Sequence, residues 1–421
     1  MSRRILLTTF GSFGDLNPYL GLAIGLRNRG HRPVLATMPF YRRVVEEAGI
    51  AFHPLRPEGD PTDRALMARL MDARRGTEFI LRDVVMAHLR ETYADLSAAV
   101  DGADLLISHP ITFAAPVVAE QRRMPWASCV LAPMSFFSPH DMPVMPAFPA
   151  IKRLERVPGM ARLMVTIAHA MTRGWVRDVA RLRRELGLPP GAHPIFAGQH
   201  APHLVLALFS PLLAHPQPDW PPHVRVTGPV WYNGATPHAL EPDLERFLDA
   251  GPPPVVFTLG TSAVGAAGTF YDESVKAIAV TGMRAVMLIG PHGENHPKGT
   301  LPDSIRIVPA APHAALMPRA SIIVHQGGAG TLHQAMRAGV PMLVVPHAHD
   351  QADNAWRATQ LGVGRTLQPR RYRASRVASE LRRLVDEPSY LERASSVAAT
   401  VTQEDGAVAA CDAIDELLAR V

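Results

Sequence analysis

The sequence predicts two doubly wound α/β domains, each a parallel sheet covered by helices, facing each other across a cleft. Three observations carry that reading. Strand-length apolar runs alternate with helical patterns from residue 4 to residue 131, a rhythm that belongs to parallel strands joined by crossover helices. The rhythm breaks and then restarts at Val255. Residues 321–355, SIIVHQGGAGTLHQAMRAGVPMLVVPHAHDQADNA, compress a strand, a glycine turn, a helix and a further strand into one stretch.

Each element follows in order. Residues 4–10 read as a strand, 19–29 as a helix, 33–38 as a strand, 41–48 as a helix and 51–55 as a strand. A polar, arginine-rich helical region spans 63–99, followed by strand 104–108, helix 112–122 and strand 126–131. The pattern changes at 134–187, where Met134, Phe136 and Phe137 lead into a basic amphipathic segment, 151–186, bearing Met160, Met164, Met171 and Trp175. Side chains of this kind at helical spacing usually belong to a core, but beside a cleft they also suit an apolar ligand. Residues 204–209 and 224–227 are two more strands.

The turn-rich residues 231–243 are the expected linker between a first domain, 1–230, and a second, 244–421, whose last helix is expected to pack back on the first. The second domain continues with strand 255–259, helix 270–281, strands 284–289 and 305–308, and a short helix at 313–317. After the 321–355 stretch, helices at 375–387 and 390–419 finish the chain.

Composition narrows the function classes. A chain of 421 residues with 47 % hydrophobic and 19 % charged side chains is globular and long enough for two to three ordinary domains. Its two cysteines, Cys129 and Cys411, have no paired or metal-ligand spacing, which fits a reducing cytoplasm. No apolar run reaches the ~20 residues of a membrane-spanning helix, and no charged-then-apolar leader opens the chain. The formal charge of +5 mildly favours an anionic ligand or membrane surface. Zinc-finger spacings and basic runs interleaved with aromatics are absent, so no nucleic-acid partner is expected.

Chemistry concentrates at two turns. In 321–355 the strand ends on His325, and Gly327, Gly328, Ala329, Gly330 and Thr331 lead into a helix. Glycines let the backbone approach an anion, Thr331 is placed to cap, and the first helical amides are unpaired donors backed by the helix dipole. A diphosphate suits such an end. Asp350 and Gln351 follow the next strand, in the loop zone where parallel sheets bind ligands. The first turn, TTFGSFGDLNP, lacks the Gly-x-Gly-x-x-Gly fingerprint of dinucleotide enzymes. It presents Asp15, which reads either as a general base or as the cap of a helix beginning near Pro18. His109 follows strand 104–108 and precedes Pro110, which keeps it out of a helix.

Residues 321–355 resemble the donor signature of nucleotide-sugar glycosyltransferases with two Rossmann-like domains (the GT-B architecture), in the family holding the UDP-glucosyltransferases. That signature runs His-x-Gly-Gly-x-Gly-Thr, helix, Gly-Val-Pro, strand, Pro and Asp-Gln-x-x-Asn, and the match includes its spacing. The first turn resembles the Gly-Ser-x-Gly-Asp-x-x-Pro opening of sterol glucosyltransferases and of the rhamnosyltransferase of bacterial rhamnolipid synthesis. Phe209-Ser210-Pro211, Asp219-Trp220-Pro221, Thr227-Gly228 and Val256-Phe257-Thr258 with Gly260 extend the resemblance to both halves.

The resemblance implies an inverting, metal-independent hexosyltransferase that needs no cofactor beyond a UDP- or dTDP-sugar co-substrate and glycosylates a hydroxyl of an apolar small molecule. Asp15 takes the place of the histidine that serves many relatives as base, with His109 either its partner or a lining residue. Donor contacts fall to Gly14, to Gly260, Thr261 and Ser262, to Val308, and to His325, Gly327, Gly328, Ala329, Gly330 and Thr331. Asp350 and Gln351 match the pair that holds sugar hydroxyls. Where relatives carry a ribose-gripping glutamate this chain has His333 and Gln334, which leaves uridine and thymidine nucleotides both open. Acceptor contacts fall to Phe13, Met134, Phe136, Phe137 and His347. The expected setting is the cytoplasm or the inner membrane face, as a monomer or homodimer, with the basic 151–186 segment as a peripheral membrane contact. A nucleotide-sugar epimerase and a non-catalytic nucleotide-sugar-binding auxiliary protein are the alternative readings of the sequence.

Overall fold

The computed structural model describes residues 2–60, 63–232, 234, 239–291 and 293–420. A seven-stranded sheet contains β1 (Arg4–Thr8), β2 (Arg32–Thr37), β3 (Ala51–Pro54), β4 (Leu105–Ser108), β5 (Trp126–Val130), β6 (Leu204–Ala207) and β7 (Val224–Val226). Its order is β3-β2-β1-β4-β5-β6-β7, parallel throughout. A six-stranded sheet holds β8 (Val255–Thr258), β9 (Ala285–Leu288), β10 (Ile305–Val308), β11 (Ile322–His325), β12 (Met342–Val344) and β13 (Gly364–Thr366). Its order is β10-β9-β8-β11-β12-β13, also parallel.

The central strands, such as β4, β6, β8, β9 and β11, are mostly apolar and buried throughout because helices cover both faces of each sheet. Leu6 and Leu7 show the pattern: both are wholly buried, Leu7 among Leu16, Tyr19 and Leu26, and Leu6 among Leu81, Leu106 and Phe113. Each such burial contributes about 1.5–3 kcal/mol. One apolar cluster crosses between the halves, joining Phe209 and Trp220 to Met317, Leu332 and Val344.

Three departures from the sequence reading matter for the site. The first helix runs Phe13–Asn28 with Pro18 inside it, and starts at Ser12 rather than near Pro18. The expected helix over 390–419 is two, Ser389–Val401 and Gly406–Leu418. Asp405 caps the second of these through Val408 N–H at 3.0 Å, and the break turns Cys411, Ile414 and Leu418 onto the first helix. A helix, Gln351–Gln360, begins where a loop was expected. In the Met-rich segment, Phe148, Leu163 and Met171 are exposed, so they belong to neither a core nor the cleft. Of the expected linker, residues 233 and 235–238 lie outside the described residues. Among the described residues no helix is long and apolar enough to cross a membrane.

Candidate active site

Both sheets reverse direction of winding at one place, between β1 and β4 in the first and between β8 and β11 in the second. Loops at the carboxyl ends of strands part there and leave a crevice, so ligands bind at such switch points. The two crevices open into one cleft of about 1610 Å³. Typical small-molecule pockets hold ~300–1,000 Å³, so there is space for two substrates together.

On the first sheet, Thr8 pairs with Ser108 and His109 N–H donates to Thr8 O at 3.0 Å, so the two turns that follow lie side by side. Asp15 serves two purposes. Its Oδ2 accepts from Ser12 N–H (2.8 Å) and the Ser12 hydroxyl (3.1 Å), while Ser12 Oγ accepts from Gly14 N–H (3.1 Å), which makes a capping box. Its Oδ1 lies 3.3 Å from His109 Nε2. The His109 side chain is 7 % exposed and that of Asp15 32 %, so the carboxylate stands in front and the imidazole behind. Ile111 N–H points at His109 Nδ1 (3.4 Å), so the ring proton sits on Nε2 and is given to Asp15. Burial works to raise the Asp15 carboxyl, but the bonds from His109 and Ser12 outweigh it and hold the group below its usual range.

On the second sheet, Thr258 pairs with His325, which brings the Gly260 turn beside the glycine turn after β11. The helix Ala329–Ala338 starts at Gly328 with no side-chain cap. Thr331, expected as the cap, is its third residue, and Gly328, Ala329, Gly330 and Thr331 all line the cleft. Among the described residues, no Lys or Arg of the second half lines the cleft, so helix-end amides are its chief positive feature there.

His325 does not face the cleft as the resemblance implied. It is wholly buried, accepts Gly327 N–H at Nδ1 (3.1 Å) and sets Nε2 3.4 Å from Met342 Sδ. Burial, with the charge of His313, pushes it down to about 3, so it is neutral and braces the turn from beneath. Side chains alternate along a strand, so when His325 points inward Gln326 points outward. Gln326 lines the cleft between two glycines: a Cβ on Gly260 would meet its Nε2 at 2.3 Å, and one on Gly328 at 2.9 Å.

Gly327 likewise stands behind the wall, and Val308 ends β10 without reaching the cleft, which Ala310 to His313 line instead. Phe136 is core, stacked on Trp220 at 3.9 Å. His347 turns its Nδ1 to Val345 O (2.8 Å) and lies off the cleft. Gly14, Phe13, Met134, Phe137, Gly260, Thr261, Ser262, Gln334, Asp350 and Gln351 do line it.

His349 escaped the sequence reading, while His333 and Asn354, both present in the motifs read there, take parts that reading did not assign them. His349, at a φ of 55°, lines the cleft near enough to Asp15 to feel its charge. His333 donates from Nδ1 to Ala329 O (2.7 Å) and accepts Ser210 N–H at Nε2 (3.1 Å), which ties the helix Ala329–Ala338 to the first half. Asn354 gives its amide to Gly327 O (2.8 Å) and Asp350 Oδ2 (2.8 Å), which joins the glycine turn to the Asp350 loop. Gln351 spends its Oε1 on His347 N–H (2.8 Å) and Ala348 N–H (3.2 Å). Asp350 is pushed up to about 7 by burial, against the Asn354 bond and with the charge of Asp15. Among the described residues no group of three His, Cys, Asp or Glu side chains could hold a metal ion.

Known proteins resemble this chain in sequence and in fold. Residues 5–133 match the glycosyltransferase family 28 N-terminal domain, and residues 277–409 match the erythromycin biosynthesis protein CIII-like C-terminal domain. The chain is 32 % identical over 431 residues to O-mycaminosyltylonolide 6-deoxyallosyltransferase of Streptomyces fradiae, covering 98 % of this chain and 97 % of that one. It is 28 % identical over 432 residues to sterol 3-beta-glucosyltransferase of Aspergillus fumigatus, covering 98 % of this chain and 30 % of that longer one. Glycosyltransferase VinC in complex with dTDP shares the fold, at a TM-score of 0.69 and 22 % identity over 99 % of this chain and 100 % of that one. The two-sheet fold, the two family matches and the 32 % identity to a transferase over nearly the whole of both chains make this chain a glycosyltransferase, a member of the GT-B family 28 and erythromycin CIII-like group.

Proposed function

We propose that this glycosyltransferase moves a hexose from a dTDP- or UDP-sugar to a hydroxyl of an apolar small molecule, with inversion and without a metal ion. One observation carries the reading: Asp15, backed by His109, faces the cleft across from the uncapped end of helix Ala329–Ala338 and the Asp350 loop. The acceptor hydroxyl lies between Asp15 and the anomeric carbon. Its oxygen attacks that carbon, the bond to the β-phosphate oxygen breaks, the electron pair leaves on the nucleoside diphosphate and the proton passes to Asp15 Oδ1. A carboxylate held below its usual pKa is a weak base, so the proton moves late, once the attacking oxygen has become acidic. Amides of Gly328 to Thr331 stabilise the leaving charge. Asp350 and Gln351 hold sugar hydroxyls, and Met134, Phe13 and Phe137 meet the apolar acceptor.

Thymidine diphosphate is the favoured nucleotide, supported by the deoxysugar transferase relative and by dTDP bound in the solved neighbour. Gln334 suits a deoxyribose because a neutral amide forgoes the charge-assisted bond that a second ribose hydroxyl could receive. Calorimetry against dTDP, UDP and GDP, then product analysis by NMR with a panel of apolar alcohols and phenols, tests the proposal. Tightest binding by GDP, or retained anomeric configuration, would sink it. Gln334→Glu should shift preference toward UDP over dTDP by about fivefold, on the order of the ~1 kcal/mol by which charged hydrogen bonds exceed neutral ones.

Asp350 supplies a pH prediction. Its folded pKa of about 7 lies above the unfolded carboxyl value of 3.8. The folded chain therefore keeps a proton that the unfolded chain has lost, and this group's contribution to stability falls as pH rises from the unfolded value through about 7. Gripping sugar hydroxyls favours the ionised form, so kcat/KM for the donor should rise through the same window and level off above it. Asp350→Asn should flatten that limb and remove the matching slope in Tm against pH. A limb that survives the substitution would assign it to another group.

A further inference from the structure

The segment that follows Met134 and Phe137 leaves the cleft and packs along the helix Gln351–Gln360. A buried ionic cluster fastens it there. Arg357, 4 % exposed, places Nε 2.7 Å from Asp353 Oδ2 and Nη1 2.8 Å from Asp141 Oδ2, and Nη1 also donates to Leu213 O at 2.7 Å. Asp353, wholly buried, accepts Val144 N–H at its other oxygen (2.9 Å). Lys152 lies 3.3 Å from Asp141 Oδ1, donates to Met142 O (2.6 Å), pairs with Glu155 at 2.8 Å and sits over the Trp356 ring. Asp141, Val144, Lys152 and Leu213 come from the first half of the chain, while Asp353, Trp356 and Arg357 come from the second.

The cluster contributes little to folding by itself. Burying such charges costs several kcal/mol per ion, so an apolar filling of the same volume would often be equally stable. What an ionic cluster supplies and an apolar filling does not is a fixed geometry, because a guanidinium bonds only along its planar fork. Position gives that geometry a use. Arg357 is six residues from Gln351 on one helix, about 9 Å along its axis, and Asp350 precedes that helix immediately. Asn354, between them, holds both Asp350 and Gly327. At the other end, Asp141 is four residues from Phe137 on the cleft wall.

We propose that Asp141, Asp353 and Arg357 act as a positioning lock that sets the acceptor-side segment 134–155 against the residues that hold the donor sugar, so that sugar binding is felt on the acceptor side. The proposal rests on the reading of Asp350 and Gln351 as donor-sugar residues. These three are positioning residues that do not touch substrate.

The test uses the full chain with dTDP and dTDP-glucose as probes, and UDP and UDP-glucose if calorimetry favours uridine. Amide exchange is followed for peptides covering 141–155, which include Val144 N–H. In the unaltered protein the nucleotide sugar should slow exchange there about fivefold or more beyond the nucleotide alone. In Asp141→Asn, which keeps the side-chain shape, binding of the nucleotide alone should stay within about twofold while the extra protection by the sugar disappears. Arg357→Lys, which keeps the charge but not the fork, should lose it too and serves if Asp141→Asn does not fold. Sugar-dependent protection that persists in either variant, or that is absent from the unaltered protein, overturns the lock. Failure of the donor-sugar reading looks different: Asp350→Asn would then bind the nucleotide sugar as tightly as the unaltered protein does.

Discussion

Asp15→Asn is expected to lower kcat for sugar transfer by about 10²–10⁴-fold, the usual contribution of a positioned general base, while nucleotide binding stays within about twofold. The substitution separates the two duties of the side chain. An asparagine oxygen can still accept Ser12 N–H, which caps the first helix now through Asp15 Oδ2 at 2.8 Å, so the helix start and the fold should be kept, with a fall in stability of about 1–3 kcal/mol from the His109 donor left unpaired. The proton acceptor is lost, and the amide nitrogen that replaces Oδ1 faces the His109 Nε2–H, so the bond between these two side chains goes with it. His109→Ala should cost less, because the imidazole stands behind the carboxylate, with Nε2 on Asp15 and Nδ1 facing Ile111 N–H. It orients Asp15 and keeps its charge in place. Asp15 is held below the usual carboxyl range, so it is ionised across neutral pH and should not produce the acid limb assigned to Asp350. Steady-state kinetics of both variants decide the order: full activity in Asp15→Asn with loss in His109→Ala would make the histidine the base.

Gly327→Ala is expected to abolish nucleotide binding and to destabilise the chain by roughly 2–5 kcal/mol, the sum of left-handed backbone strain and overpacking. Gly327 has a φ of +90°, and a Cβ there would lie 2.7 Å from Val344 Cγ1 and 3.0 Å from Gln351 O. Neither can retreat easily, since Val344 is buried in β12 and Gln351 opens the helix behind the Asp350 loop. The turn must move, and with it the amides of Gly328 to Thr331. Gly330→Ala provides the contrast. A Cβ there meets nothing within 4 Å, and the residue lines the cleft. That variant should be as stable as the parent or gain ~0.5–1 kcal/mol from the helix preference of alanine, yet bind dTDP more weakly because the methyl occupies the phosphate's approach. Thermal denaturation and calorimetry on the pair read both effects. Equal nucleotide affinity in Gly330→Ala and the parent would remove the diphosphate from this helix end.

Much of the site was legible because its signals are local. Apolar runs of strand length, glycines where the backbone must turn sharply and a helix start after β11 are properties of neighbouring residues. The capping box was equally local, since Ser12-x-x-Asp15 has the spacing of a helix start, but Pro18 drew the expected boundary forward. A proline several residues inside a helix is uncommon, and here the helix accommodates it.

Other features were illegible for a different reason. Whether His325 or Gln326 reaches the cleft depends on the facing of one strand end, and a shift of one residue exchanges the two. Phe136 and Phe137 are adjacent, yet Trp220 takes the first into the core while the second, at a φ of 49°, turns to the cleft. His347 and His349 divide in the same way across two residues.

By itself, then, the sequence determined the parallel α/β class, the glycine turns and the helix start after β11, because dihedral preference and hydrophobic period act over a few residues. Tertiary structure decided the rest. It set Asp15 before His109 through the pairing of β1 with β4, turned His325 inward beneath its own turn, and brought Asp141 to Arg357 across the two halves. Those outcomes depend on contacts between residues far apart in the chain, whose energies no short stretch contains.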